Sequence, residues 1–194
     1  MRNEETLSIP GYVAGTWSID PVHSDVSFTV RHMMVSKVRG KFHGLSGSII
    51  LAEDPAASEV TAEIDMASID TGNEQRDEHI RSADFFEVTK YPKMTFRSTS
   101  LRSDGNDFVV TGDLSLHGVT RSVELELEVN GFTKDPYGGT RAGFSATTQI
   151  NRRDFGITID MPMDGGGVVV GDKIQVQLEV EAVLAQPTPD QLGS

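Results

Sequence analysis

The chain has 194 residues and a net charge of −12, with 17 Lys and Arg against 29 Asp and Glu, and it contains no cysteine. One domain of this length can bury about 70% of its unfolded surface, while the lack of Cys excludes a disulfide framework, thiolate metal sites and a cysteine nucleophile. The acidity excludes a phosphate-backbone binder, which needs a basic face, and speaks against docking on anionic lipid through bulk charge.

Taken in chain order, the first residues are polar and broken by Glu4, Glu5 and Pro10, which does not fit a secretory signal. No stretch approaches the ~20 apolar residues of a membrane helix. A cytoplasmic protein without membrane insertion is the expectation. Residues 1–13 are expected to be a flexible segment, 14–185 one domain and 186–194 a polar tail with two prolines. Strands are predicted near 23–33 and 40–52. Val60, Ala62, Ile64 and Met66 then alternate with Thr61, Glu63 and Asp65. Thr71 followed by Glu74 fits a capping box, and a short helix near 73–86 follows, in which Asp77 and Arg81 are spaced to pair. Further strands are predicted near 93–103 and 107–116. Val123, Leu125, Leu127 and Val129 alternate with Glu124, Glu126 and Glu128, and residues near 141–151 follow as a strand. Ile174, Val176, Leu178, Val180, Ala182 and Leu184 alternate with polar neighbours as the last strand. Period two with one apolar face is the mark of half-buried antiparallel strands. Turn signals separate them at Asp54-Pro55, Asp104-Gly105-Asn106, Asn130-Gly131 and 135–139. Eight such strands predict an all-β sandwich or barrel.

Catalytic signatures fail on inspection. Gly44-Leu-Ser-Gly-Ser48 misses the last glycine of a nucleophile elbow, and Gly165-Gly-Gly167 runs into three valines, without the third glycine of a dinucleotide loop. Five histidines are present, but none are at metal-ligand spacing within an element. Val26, Phe28, Val30 and His32 share one strand face. His32 is therefore either a satisfied core histidine or a polar anchor in a ligand cavity. Asn73, Arg76, Asp77, His79 and Arg81 form a polar cluster around the helix start. They read either as a solvated face or as a rim that grips a head group. Phe85 and Phe86 are expected to fill core or to plug a barrel end.

The motifs Trp17-Ser-Ile-Asp20-Pro-Val-His23, Val26-Ser-Phe28-Thr-Val-Arg-His32, Gly40-Lys-Phe42 and Ser68-Ile-Asp70-Thr-Gly72-Asn73 occur in order with Arg76-Asp77-Glu-His79-Ile-Arg81-Ser-Ala-Asp84-Phe85-Phe86, Tyr91-Pro92, Phe96, Gly112 to Thr120, Arg153-Asp154-Phe155-Gly156-Ile157 and Val170-Gly171-Asp172. From about residue 14 to 184 this pattern resembles the YceI-like family of polyisoprenoid-binding proteins. The resemblance implies an eight-stranded antiparallel barrel of extended lipocalin-like type with a helix near one end. It also implies an apolar tunnel for a long-chain amphiphile such as a polyisoprenoid or an isoprenoid quinone, and a homodimer. It implies non-catalytic binding, with no metal and no cofactor beyond the lipid itself. By this likeness His23, His32, Asn73, Arg76, Asp77, His79 and Arg81 are the polar candidates at the tunnel mouth. Val26, Phe28, Val30, Phe42, Ile64, Phe85, Phe86, Phe96 and Phe155 are candidates for its apolar wall. Many members carry a secretory signal, whereas none is expected here from the first residues, and the segment 158–167 reads as a distinctive loop. Two competing readings are a histidine- or metal-dependent enzyme and a partner-binding barrel with a filled core. A continuous apolar cavity separates the lipid reading from the filled barrel.

Overall fold

In the computed structural model, residues 9–33, 35–160 and 170–185 are described. The strands are β1 (Gly15–Ile19), β2 (Asp25–His32), β3 (Ser36–Phe42), β4 (Leu45–Leu51), β5 (Glu59–Asp65), β6 (Ile69–Asp70), β7 (Lys93–Asp104), β8 (Asp107–Leu116), β9 (Val119–Lys134), β10 (Thr140–Asn151) and β11 (Val170–Leu184), with one α-helix, α1 (Glu74–Arg81). Each neighbouring pair is antiparallel. The order β1-β4-β5-β7-β8-β9-β10-β11 is closed by pairing of β1 with β11, so eight strands form a complete ring. Closure leaves no free edge on the ring. The expected eight-stranded antiparallel barrel with one short helix is the fold found.

The long β11 carries two partners on one side. Its end near Leu184 pairs with β1, and its stretch from Ile174 to Glu179 pairs with β2. The β2–β3 hairpin therefore continues the wall past the ring, and its outer neighbour is only the two-residue β6. The predicted strand at 40–52 is accordingly two strands. Gly44 sits at the break, where a Cβ would lie 2.7 Å from Asp65 Cβ. Its N–H donates to Ser68 Oγ at 3.0 Å, and its carbonyl accepts from Asp65 N–H at 2.8 Å.

Between β5 and β7 the chain leaves the wall instead of turning tightly. It makes β6 and α1, then returns at Pro92, whose carbonyl accepts from Met66 N–H at 3.0 Å. This excursion covers one end of the barrel. Beneath it lie Phe42, Leu45, Ile64, Met66, Ile69 and Phe155, all at most 4% exposed; each such side chain contributes about 1.5–3 kcal/mol. The opposite end is filled by Trp17, which is fully buried, and by Phe132, Tyr12 and Phe144, with Trp17 and Phe132 edge to face at 5.6 Å.

Three local expectations are corrected. The helix cap is Asn73, whose Oδ1 accepts from Arg76 N–H at 3.0 Å, and not Thr71. The helix ends at Arg81 and not near 86, because Ser82 turns to extended backbone and both its N–H and its hydroxyl donate to His79 O. Asn130-Gly131 is not a turn. β9 runs through it to Lys134, and Asn130 is an extra residue where the register with β10 shifts between Gly143 and Phe144, a β-bulge. Asn130 Nδ2 donates to Ser145 Oγ at 2.9 Å there. Of the loop 158–167, only Thr158–Asp160 fall among the described residues, and the C-terminal tail from 186 lies outside them.

Candidate functional site: an apolar chamber inside the barrel

The barrel encloses a cavity of about 630 Å³. That is within the usual range for a small-molecule site. Inner-face register places its walls. Leu125 pairs with Val110, Ala146 with Leu127 and Leu178, and Phe28 with Val176. All of these line the cavity. Val123, Leu125, Leu127, Ile174, Val176 and Leu178 point inward yet are only half-buried. They keep that exposure because the barrel is hollow along their length.

Two inner-wall glycines keep it so. Gly40 pairs with Phe28, and a Cβ on Gly40 would stand 2.4 Å from Phe28 Cζ. A Cβ on Gly112 would stand 2.4 Å from Phe96 Cζ. The outer end of each ring occupies the space that a side chain on the glycine would fill, which keeps the ring back against the chamber wall.

The helix-covered end gathers the polar lining. Arg31, His32, Asn73, Gln75, Arg76, His79 and Arg152 reach the chamber there, with Phe42, Phe85 and Phe86 among them. Phe42 lies 5.6 Å from Phe28 and 6.2 Å from Phe86, ring centre to ring centre. Arg76 is held by Thr71, with Nε to Oγ1 and Nη2 to the carbonyl, both 2.8 Å. His79 Nε2 lies 2.9 Å from Asp84, and its ring meets Phe85 edge to face. Ser58, Glu59 and Ser98 line the far end, where Ser98 Oγ accepts from Val60 N–H at 2.9 Å.

Of the polar residues singled out from the sequence, the fold brings His32, Asn73, Arg76 and His79 to the chamber and leaves three away from it. His23 lies in the β1–β2 turn, 59% exposed, 2.8 Å from Asp20 and 3.5 Å from Glu181. It is drawn to carboxylates on the outer surface instead of the mouth. Asp77 is buried but points to Thr71, accepting from its N–H at 2.9 Å and from its hydroxyl. Arg81 reaches the carbonyls of Ala67 and Ile69 and the carboxylate of Glu74, so the predicted Asp77–Arg81 pair does not form. Asp77 and Arg81 tie α1 to the excursion that carries it. Val26, Phe28, Val30, Phe42, Ile64, Phe85, Phe86 and Phe96 line the chamber, whereas Phe155 does not. Phe155 is 1% exposed and packs under the 3₁₀ turn after β10.

Arg152 was missed, although the inward alternation of Phe144, Ala146, Thr148 and Ile150 reaches it one step later. It is 2% exposed. Its guanidinium donates to the carbonyls of Ile157 (2.9 Å), Gly171 (3.1 Å) and Val170 (3.4 Å), with Asp172 at 3.3 Å. A buried cation persists only with such partners. Arg31 was missed because the alternation of Val26, Phe28, Val30 and His32 assigns it to the outer face, although at the end of β2 it also borders the chamber, and Gln75 because no periodicity marks it.

A second charged group lies outside the barrel. Arg141 bridges Asp20 (2.9 Å), Asp135 (3.0 Å) and Glu181 (3.7 Å). Hydrogen bonds from His23 and then Arg141 hold the Asp20 carboxyl down to about 2, and backbone N–H groups of Gly139 and Tyr137 hold Asp135 low. Asp20, His23 and Glu181 place metal-competent atoms within 4.8 Å of one another, but the guanidinium already supplies the cation.

An eight-stranded antiparallel barrel with a hollow apolar lumen, most of its polar lining at the helix end, is a barrel of the lipocalin-like class. Residues 17–182 match the YceI-like domain. The chain is 43% identical over 152 residues to the protein YceI of Shigella flexneri, covering 77% of this chain and 80% of that one. Its fold matches the Burkholderia cenocepacia BcnA crystal structure with a TM-score of 0.71 at 22% identity, over 84% of this chain and 98% of that one. It matches a polyisoprenoid binding domain from Saccharophagus degradans, implicated in plant cell wall breakdown, with a TM-score of 0.67 at 20% identity, over 87% and 98% of the two chains. The chain belongs to the YceI-like family.

Proposed function

We propose that the protein binds one long-chain lipid of the polyisoprenoid class in its chamber and sequesters or carries it without chemical conversion. The hollow lumen supports this most directly: inward-facing residues such as Leu125 and Val176 stay half-buried around a cavity of about 630 Å³. A flexible apolar chain gains about 0.8 kcal/mol per CH₂ transferred into such a space. Little polar recognition is needed along the tail, and most of the polar lining lies at the helix end, beside Arg76 and His79. A head group with acceptor oxygens, an isoprenoid quinone among them, fits that arrangement. The family likeness and the polyisoprenoid-binding neighbour point the same way.

Native mass spectrometry and lipid extraction of the purified chain, before and after incubation with a long-chain isoprenoid, test the reading. Uptake of one molecule per chain is expected. Val176→Trp, which fills empty space, is expected to abolish uptake while changing the urea midpoint little. A wild-type chain that neither holds nor takes up an isoprenoid or another long-chain amphiphile overturns the proposal.

A further inference from the structure

Although the chain is strongly acidic, the stretch from Val26 to Ala52 holds four basic residues, Arg31, Lys37, Arg39 and Lys41, and no acidic one. The β2–β3 hairpin puts all four on one face. Arg31 pairs with Lys37, Thr29 with Arg39 and Ser27 with Lys41, while Phe28, Val30 and Val38 turn to the chamber. All four cations are exposed. Arg31 and Lys37 stand directly opposite each other, a like-charge pair that weakens a sheet. Folding therefore does not account for the arrangement. Among the described residues, Lys41 alone of the four has a carboxylate at ion-pair distance, Asp25 at 3.5 Å. Within the hairpin the acid lies at its base, where Asp25 pairs with Glu179; Asp172, which β11 brings beside Arg31, is held by Arg152 and Arg153.

The tip is apolar. Val35 is 88% exposed and Met33 is 41% exposed. Arg31 and His32, next to them, line the chamber. An apolar tip flanked by cations, set beside the polar end of a lipid-sized cavity, fits a membrane interface. An acidic protein or a nucleic acid would use the cations but leave Val35 and Met33 without a partner.

We propose that the β2–β3 hairpin docks the protein on an anionic bilayer, with Met33 and Val35 entering the headgroup layer and Arg31, Lys37 and Arg39 facing lipid phosphates. The helix-covered end of the chamber then faces the membrane, and a lipid passing there between bilayer and barrel has little exposure to water. This use of the surface rests on the lipid-binding reading above. The acidic rows on β9 and at the base of the hairpin do not cancel the contact, because charge is screened beyond a Debye length of about 8–10 Å.

Flotation of the full chain with phosphatidylcholine vesicles, with and without phosphatidylglycerol, tests the docking. Binding is expected only with phosphatidylglycerol and is expected to fall between about 0.05 and 0.2 M salt. The double variant Lys37→Gln/Arg39→Gln is expected to bind about thirtyfold more weakly. Val35→Ser is expected to weaken binding while leaving the salt dependence unchanged. Circular dichroism checks that each variant folds, and uptake of an isoprenoid from detergent solution is expected to stay at the wild-type level. Wild-type protein that ignores phosphatidylglycerol vesicles overturns the proposal. So do folded variants that bind them as well as wild type, or tighter binding to an acidic peptide or oligonucleotide than to vesicles. Docking without isoprenoid uptake would instead overturn the proposed function and leave the surface assignment standing.

Discussion

Phe28 and Phe96 would each project into the lumen if their neighbours carried side chains, yet both lie over glycine. The consequence is testable. Gly40→Ala should push the Phe28 ring inward, cost about 1–3 kcal/mol as overpacking, and weaken isoprenoid binding by more than it shifts the urea midpoint. Titration calorimetry alongside urea denaturation separates the two effects. At Asp77 the requirement is polar. Its carboxylate is buried and accepts from Thr71 N–H and hydroxyl. Asp77→Ala leaves those donors unpaired and should cost about 1–3 kcal/mol, read as a lowered urea midpoint. Asp20 carries a pH signature. In the unfolded chain its carboxyl takes up a proton near pH 4; in the folded chain, bonded by His23 and Arg141, it does so only at about 2. Between these values the unfolded state binds more protons, so stability falls as pH is lowered through this window. Asp20→Asn should flatten that slope in urea midpoints measured from about pH 4 to 2, and should lower stability at neutral pH.

Elements differ in how openly the sequence displays them. β5, β9 and β11 follow strict apolar alternation, and each is found with its apolar side turned in. β1 is short and broken from β2 by Asp20 to Ser24, so it offers too few repeats to read, although it closes the ring. α1 was legible as a helix but not in its limits, since both caps are side-chain choices between near neighbours. Thr71 and Asn73 could each cap; Thr71 is drawn to Asp77 and Arg76, which leaves the role to Asn73. Asn73→Ala should therefore cost about 1 kcal/mol, while Thr71→Ser, which keeps the hydroxyl, should cost less. Thermal unfolding followed by circular dichroism ranks the two. The same competition explains why only some members of the polar cluster reach the chamber. Asn73, Arg76 and His79 lie on the side of α1 that faces the lumen, whereas Asp77 and Arg81 are drawn to the loop before the helix. Residues that look alike in sequence are thus divided between lining and support.

At the scale of the molecule, the net charge of −12 is distributed and not uniform. Glutamates alternate along β9 and β11 on the outer surface, while the β2–β3 hairpin is basic on its outer face. The sequence by itself determined an all-β antiparallel class, sandwich or barrel, the inward faces of the long strands and the presence of one helix, because each of these is encoded in residues a few positions apart. His32, Phe28 and Val30 could likewise be placed on an inner face by alternation. Only the tertiary structure decided that the inside is hollow. Alternation specifies which side chains point inward, but not whether opposing walls meet; that depends on ring closure through β1 and on glycines that lie opposite aromatic rings across strands. It also decided that Arg152 enters the chamber, that His23 and Phe155 stay out of it, and that the cations of β2 and β3 share one face beside the chamber's polar end. These are relations across the register between strands, and register is set by the packing of the whole barrel, not by any one of its strands.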